Sequence, residues 1–297
     1  MSESGVTPQG DWSRDHIVNA DGQRLFCRYW VPEEPPRGLL FVAHGVGEHC
    51  GRYSSLAQSL SQRGLIVFAH DHVGHGRSEG ERMMVRDFKV YIRDSLQHVD
   101  LMKEQYPGLP LFILGHSMGG AISILCACER PSDFTGVVLI SPMVQLNPES
   151  ASPFKVFMAK LLNHVLPSLS LGSIDSKWIS RDQKEVESYD TDELNHHGGL
   201  SVAFAMQLVG AARLVERAIP TVTWPFLLLH GDADKLCNIS GSHMMLEKAQ
   251  STDKQLKVYN GAYHVLHHEL PETTECVLRD ITDWVVTRIP DQAASGS

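Results

Sequence analysis

The chain has 297 residues, 42% of them hydrophobic and 21% charged, a composition that excludes a disordered, collagen-like or coiled-coil protein. Its 26 basic and 35 acidic side chains leave a formal charge of −9, and with no local cluster of Lys and Arg a nucleic-acid partner is not expected. No uninterrupted apolar run reaches the roughly 18 residues of a membrane-spanning helix, the first residues lack the layout of a secretory signal, and six cysteines without CxxC spacing read as reduced thiols of a cytoplasmic protein.

Residues 1–11 are small and polar and read as a flexible tail. Residues 25–30 alternate apolar and polar like a half-buried strand. Residues 38–43 are a continuous apolar run of the fully buried kind, followed by the glycine-rich stretch His44-Gly45-Val46-Gly47. A helix is expected over 53–63, stopped by Gly64, then a strand over 65–70 and a polar loop over 71–81. Next come a helix over 85–105 ended by Pro107, a strand over 111–114, a helix over 119–129 and a strand over 136–140. The rhythm breaks between 144 and 220. That segment holds no strand-like run and opens with Phe154, Phe157, Met158, Leu161, Leu162, Val165 and Leu166 along one helical face; Phe204, Met206, Leu208 and Val209 add apolar bulk later. Strand 225–229, helix 241–249, strand 256–259 and helix 271–288 complete the pattern, and 290–297 reads as a second tail.

Strands alternating with helices predict an α/β fold with a mostly parallel central sheet covered on both faces. The core is expected over 12–143 and 221–289. The inserted 144–220 then forms a helical cap over the C-terminal edge of the sheet, where open α/β sheets hold their ligands.

Gly115-His116-Ser117-Met118-Gly119 falls between a predicted strand and a predicted helix. In that context G-x-S-x-G is a nucleophile elbow, with glycines at both ±2 positions to let strand and helix close up. The plainer alternative is a serine that only caps the helix. A serine nucleophile needs a base held in one tautomer by an acid. Strand 225–229 runs into His230-Gly231-Asp232-Ala233-Asp234; Asp234, further along the loop, is taken as the acid, with Asp232 left to brace the turn. His264 is the first histidine on the last strand-to-helix loop and is taken as the base, whereas His267 and His268 are expected to face solvent or cap the following helix. The oxyanion requires fixed backbone donors, assigned to Met118 N–H at the helix start and Val46 N–H in the early glycine-rich loop. His70-Asp71-His72-Val73-Gly74-His75 groups histidines as a binuclear metal site does, but Gly74 stands where such a site needs a carboxylate. Neither a metal nor a cofactor is expected.

Several longer stretches resemble the monoacylglycerol lipase family of α/β-hydrolases over about 16–287. They include Val18-Asn19-Ala20-Asp21-Gly22, Gly47-Glu48-His49 with Gly51-Arg52-Tyr53, 68–76, the 115–120 elbow, and Gly261-Ala262-Tyr263-His264-Val265-Leu266-His267. The resemblance implies the same triad and oxyanion donors. It further implies hydrolysis of monoacylglycerols to fatty acid and glycerol, and a cap that gives the protein peripheral contact with membranes. Glu48, Arg52, His116 and His267 would bind substrate near the glycerol end of the pocket, Tyr189 in the cap would face it, and Cys237 would be a thiol sensitive to oxidants or electrophiles. Val46 stands where the family usually has alanine, and 144–220 contains no cysteine. The alternatives are a lysophospholipase or general carboxylesterase on the same scaffold, a haloperoxidase-like hydrolase with a smaller cap, or a lipid-binding protein that has lost catalysis.

Overall fold

The computed structural model describes residues 15–145 and 166–290. Its strands are β1 (His16–Val18), β2 (Arg24–Trp30), β3 (Gly38–Ala43), β4 (Leu65–His70), β5 (Leu111–His116), β6 (Gly136–Ile140), β7 (Phe226–Gly231) and β8 (Lys254–Tyr259). They form one sheet in the order β1-β2-β4-β3-β5-β6-β7-β8. From β4 to β8 all pairings are parallel, whereas β1 with β2 and β2 with β4 are antiparallel. The continuous apolar runs of β3, β4, β5, β6 and β7 are buried along their whole length, as parallel strands covered on both faces require. β1 lies beyond the expected elements. It is three residues long and pairs at the sheet edge, too short to leave a periodic signal.

The described helices are α1 (Ser54–Ser61), α2 (Lys89–Gln105), α3 (Met118–Glu129), α4 (Gln183–Thr191), α5 (Val202–Ala218), α6 (Ile239–Lys248) and α7 (Pro271–Val286). Alternate side chains of each strand feed opposite layers. Leu39 and Phe41 pack with Tyr91, Leu96 and Val99 of α2, Ile122 of α3 and Phe204 of α5. Leu40 and Val42 pack with Leu56 and Leu60 of α1 and Val277, Ile281 and Trp284 of α7. Each such side chain contributes on the order of 1.5–3 kcal/mol by leaving water, so this two-sided burial fixes the strand ends that carry the site. α2 begins at Lys89, later than the apolar pattern indicated. The Asp87 carboxylate accepts the Lys89 N–H at 2.9 Å, and Gln207 of α5 takes the Phe88 N–H at 3.1 Å, so the chain enters the helix only there.

Between β6 and β7 the described residues hold α4, α5 and a single bridge, Ser170 to Ser201, but no strand. The expected apolar helical face from Phe154 to Val165 and both expected tails lie outside the described residues, apart from Pro290 at the start of the second. α5 turns Phe204, Leu208, Ala211 and Val215 into the core against α3.

Candidate active site

β5 ends in His116 and α3 begins at Met118, so a single residue, Ser117, makes the whole turn. Its φ of 54° and ψ of −118° lie in a region an L-residue occupies only under constraint. The constraint is steric. A Cβ on Gly115 would collide with the Gly119 carbonyl, and one on Gly119 with the carbonyls of Ala43 and His44. Ser117 makes no side-chain capping bond to α3, which removes the helix-cap alternative. Its backbone is pinned instead, the N–H to Ile140 O at 3.1 Å and the carbonyl to Met143 N at 2.9 Å.

Asp234 and His264, the expected acid and base, arrive from the loops after β7 and β8. Asp234 Oδ2 accepts the His264 Nδ1 hydrogen at 2.7 Å, and its Oδ1 accepts the N–H groups of Leu236 and Cys237 at 2.7 and 3.0 Å. Burial opposes the charge, yet the His264 and His230 side chains hold the Asp234 carboxyl well below the usual range. The bond at Nδ1 leaves His264 Nε2 as the proton acceptor. Asp232 braces the loop, its carboxylate accepting Gly261 N–H at 2.6 Å. Sequence reasoning assigned no role to His230, which is fully buried. Its Nε2 faces Cys237 O at 3.2 Å and Asp234 Oδ2 at 3.2 Å, both acceptors, so Nε2 carries the proton and Nδ1 accepts from Ser242 Oγ at 2.8 Å. A histidine as the first polar residue after Phe226-Leu227-Leu228-Leu229 was the available signal. Glu269 does the same for the base loop, accepting Tyr263 N–H at 2.9 Å and the Arg181 Nε hydrogen at 2.9 Å.

On the other flank of Ser117 lies a buried polar chamber. Glu48 Oε1 accepts Gly45 N–H and Tyr53 O–H at 2.5 Å each and the His116 Nδ1 hydrogen at 3.2 Å. Burial raises its carboxyl, but the His116 bond and the surrounding side chains outweigh that and hold it well below the usual carboxylate range. Burial lowers His116 and His267 below the ordinary histidine value. His267 is 4% exposed and stacks on Tyr53 with centroids 4.7 Å apart. The expectation from chain position that it faces solvent or caps the helix is therefore corrected, because a 3-10 turn at Leu266–His268 swings it inward. His268 is half-buried and bonds Glu185 of α4 at 2.7 Å and Arg52 O at 2.7 Å, so it too is not a solvent-facing or capping residue.

Arg52 joins this chamber to the segment between β6 and β7. Its guanidinium lies 5.3 Å over the Tyr189 ring and 3.8 Å from Asp192, which also receives His49 Nε2 at 2.9 Å. Among the described residues, Arg52 Nε and Nη2, His116 Nε2 and both ring nitrogens of His267 have no hydrogen-bond partner. Cys237 is buried against the Ser117 hydroxyl, and burial, with the Asp234 charge behind it, pushes its thiol up. A thiol so held stays protonated, which works against the sensitivity to electrophiles expected of it.

One ring nitrogen of each histidine in 70–75 meets a protein group, while His70 Nε2, His72 Nδ1 and His75 Nε2 have no hydrogen-bond partner among the described residues. His70 faces His98 at 3.1 Å, His72 bonds the His44 carbonyl at 3.2 Å and His75 bonds Val73 O at 3.2 Å. Among the described residues, no hydrogen bond takes up the N–H of Val46 or of Met118.

A family model described as serine aminopeptidase, S33, matches residues 34–271. Monoglyceride lipase of Homo sapiens is 60% identical over 284 residues, which is 95% of this chain and 94% of that protein. The chain belongs to the monoglyceride lipase family of α/β-hydrolases. The monoglyceride lipase of Rattus norvegicus is 58% identical over 285 residues, 95% of this chain and 94% of that one. The crystal structure of Paleococcus ferrophilus monoacylglycerol lipase matches with a TM-score of 0.78 at 32% identity, covering 89% of this chain and 99% of that chain. Family membership and the parallel sheet agree with the fold expected from the alternating strands and helices.

Proposed function

We propose that this protein hydrolyses monoacylglycerols to a free fatty acid and glycerol through an acyl-enzyme on Ser117. Ser117 Oγ attacks the ester carbonyl while His264 Nε2 takes its proton and Asp234 holds the imidazole. The developing oxyanion is received by the N–H groups of Val46 and Met118. His264 returns the proton to the departing glycerol oxygen. It then removes a proton from water, which attacks the acyl-enzyme, and passes that proton to Ser117 Oγ as the acyl–oxygen bond breaks and the fatty acid is released.

The observation that carries the substrate is the set of unfilled groups beside Ser117. Arg52 Nε and Nη2 are donors, His116 Nε2 is an acceptor because Nδ1 gives its hydrogen to Glu48, and neutral His267 offers one of each. Buried polar groups left without partners cost about 1–3 kcal/mol apiece. A polyol, each hydroxyl of which both donates and accepts, supplies that complement, and a quaternary ammonium head cannot.

The segment from 144 to 220 acts as a cap through which the protein rests peripherally on cytoplasmic membranes. Leu166, Leu169 and Leu171 are 52%, 44% and 51% exposed within six residues of one another, a cluster suited to an acyl-chain interface. Among the described residues no helix is long and apolar enough to cross a membrane.

Initial rates on equal concentrations of monooleoylglycerol, dioleoylglycerol, lysophosphatidylcholine and a short p-nitrophenyl ester test the reading, with Ser117→Ala as blank. The monoacylglycerol is expected to be turned over fastest. A preference for lysophosphatidylcholine or the short ester would remove the glycerol assignment and keep the triad. Silence on all four from a folded protein would leave a lipid-binding protein.

A further inference from the structure

We propose that His72, which lies outside the triad and the polar chamber, is a positioning residue that sets the spacing between the two oxyanion donors. The inference rests on Val46 and Met118 being those donors.

His72 and His44 are both fully buried and their rings lie 4.0 Å apart. Their hydrogens can be placed without ambiguity. His44 Nε2 accepts the backbone N–H of His72 at 2.9 Å, so the His44 proton sits on Nδ1, which donates to Gly45 O at 2.8 Å. His72 Nε2 lies 3.2 Å from the His44 carbonyl, which can only accept, so Nε2 carries the hydrogen. Residue 72 thus grips residue 44 twice, once by main chain and once by side chain, and residue 44 in turn holds the carbonyl of residue 45. The Gly45 N–H is fixed separately by Glu48. With Gly45 held at both its N–H and its carbonyl, the peptide that presents Val46 N–H has little freedom to rotate.

The His44 carbonyl has a second neighbour. A Cβ on Gly119 would meet the Ala43 and His44 carbonyls directly, so the first turn of α3, which presents Met118 N–H, packs on the very oxygen that His72 restrains. One hydrogen bond therefore references both donors to a common point. Catalysis is sensitive to such spacing because the donors must fit the oxyanion and not the ground-state carbonyl. His72 itself touches neither substrate nor any reacting atom.

The test compares p-nitrophenyl butyrate with its thionoester, whose sulfur is larger and a poor hydrogen-bond acceptor. An enzyme with a formed oxyanion hole turns over the oxoester far faster. For His72→Leu, kcat on the oxoester is expected to fall roughly 10- to 100-fold with KM within about twofold, and the oxoester-to-thionoester ratio to fall roughly 10-fold. His72→Gln places an amide N–H near the Nε2 position and is expected to recover most of both. His72→Asn, which puts its amide nearer Nδ1, is not. The Gln and Asn pair decides the matter if the Leu variant does not fold. An unchanged ratio in His72→Leu, or equal ratios in the Gln and Asn variants, overturns the role of His72 while leaving the donors in place. Little oxoester preference in the unaltered enzyme overturns the oxyanion assignment itself.

Discussion

The two sides of the catalytic edge are built differently. The nucleophile sits where apolar strands and a close-packed helix leave the backbone no other course, with β5, β6 and the start of α3 buried throughout. The segment between β6 and β7 meets the core through the apolar face of α5 and, nearer the site, through polar pairs. Asp192 meets His49 and Arg52, Glu185 meets His268, and Arg181 meets Glu269. Packing of the first kind resists displacement by even a methyl group, whereas each of these pairs keeps one partner within reach of water, Asp192 at 26%, Glu185 at 32% and Arg181 at 27% exposed. The elbow lies on the close-packed side, and the polar pairs lie toward the inserted segment.

Substitutions can separate the two. Ser117→Ala removes the proposed nucleophile and its contact with the Cys237 thiol but no capping bond, so hydrolysis should fall at least about 10⁴-fold with a nearly unchanged melting temperature; a large shift in melting would show that the elbow serine also holds the fold together. Gly119→Ala attacks the packing itself, since the added methyl meets backbone carbonyls that cannot move aside. It should lower both activity and melting temperature, and a wild-type melt would mean the elbow is looser than its geometry indicates. Arg52→Gln strikes the seam. KM for a monoacylglycerol should rise about 10-fold or more while the short p-nitrophenyl ester is nearly unaffected, measured on one preparation. Glu185→Gln should be smallest, within about 1 kcal/mol in urea unfolding, and a larger loss would place the seam among the structural elements of the fold.

Acid should act on the close-packed side first. Burial lowers His44, His70, His72, His75, His98, His116 and His267 below the ordinary histidine value, His75 to about 4 and His98 to about 3. Unfolded, these groups bind protons from about pH 6.5 downward, and folded they do not. The unfolded state therefore holds more protons between pH 6.5 and about 4, and stability falls as pH drops through that window, by up to about 1.4 kcal/mol per unit for each histidine. The carboxyls of Glu48 and Asp234, also lowered in the fold, take up protons in the unfolded chain only toward the acid end of that window, where they steepen the fall. Urea midpoints measured from pH 7.5 to 5 should fall steeply, and a flat profile would mean the buried histidines take up protons within the fold.

What could be read from the sequence follows the same division. Strands 38–43, 65–70 and 136–140 were plain because full burial writes a continuous apolar run, and Ser117 was plain because the elbow needs glycine at fixed offsets. Asp234 and His264 followed from chain order on the last strands. Side-chain direction was not legible. Nothing in Val265-Leu266-His267-His268 says that a 3-10 turn sends His267 into the chamber. The pairing of His49 with Asp192 spans 143 residues and leaves no local pattern. The pairing of His72 with His44 and of His70 with His98 crosses from one strand end to another element and is likewise not written in the local pattern.

The course of α5 bears on how the inserted segment is held. Its first turn lies at the catalytic edge, where Phe204 meets His75, and its last turn lies beside Arg130 just past the far end of α3. At 17 residues it is about 26 Å long, so it runs down the flank of the sheet and delivers the chain to the start of β7. The inserted segment is thus moored like a gangway, fixed along its return leg and not merely at a hinge. α5 behind Ser201 is the stretch of that segment which the core holds by apolar packing from Phe204 to Val215.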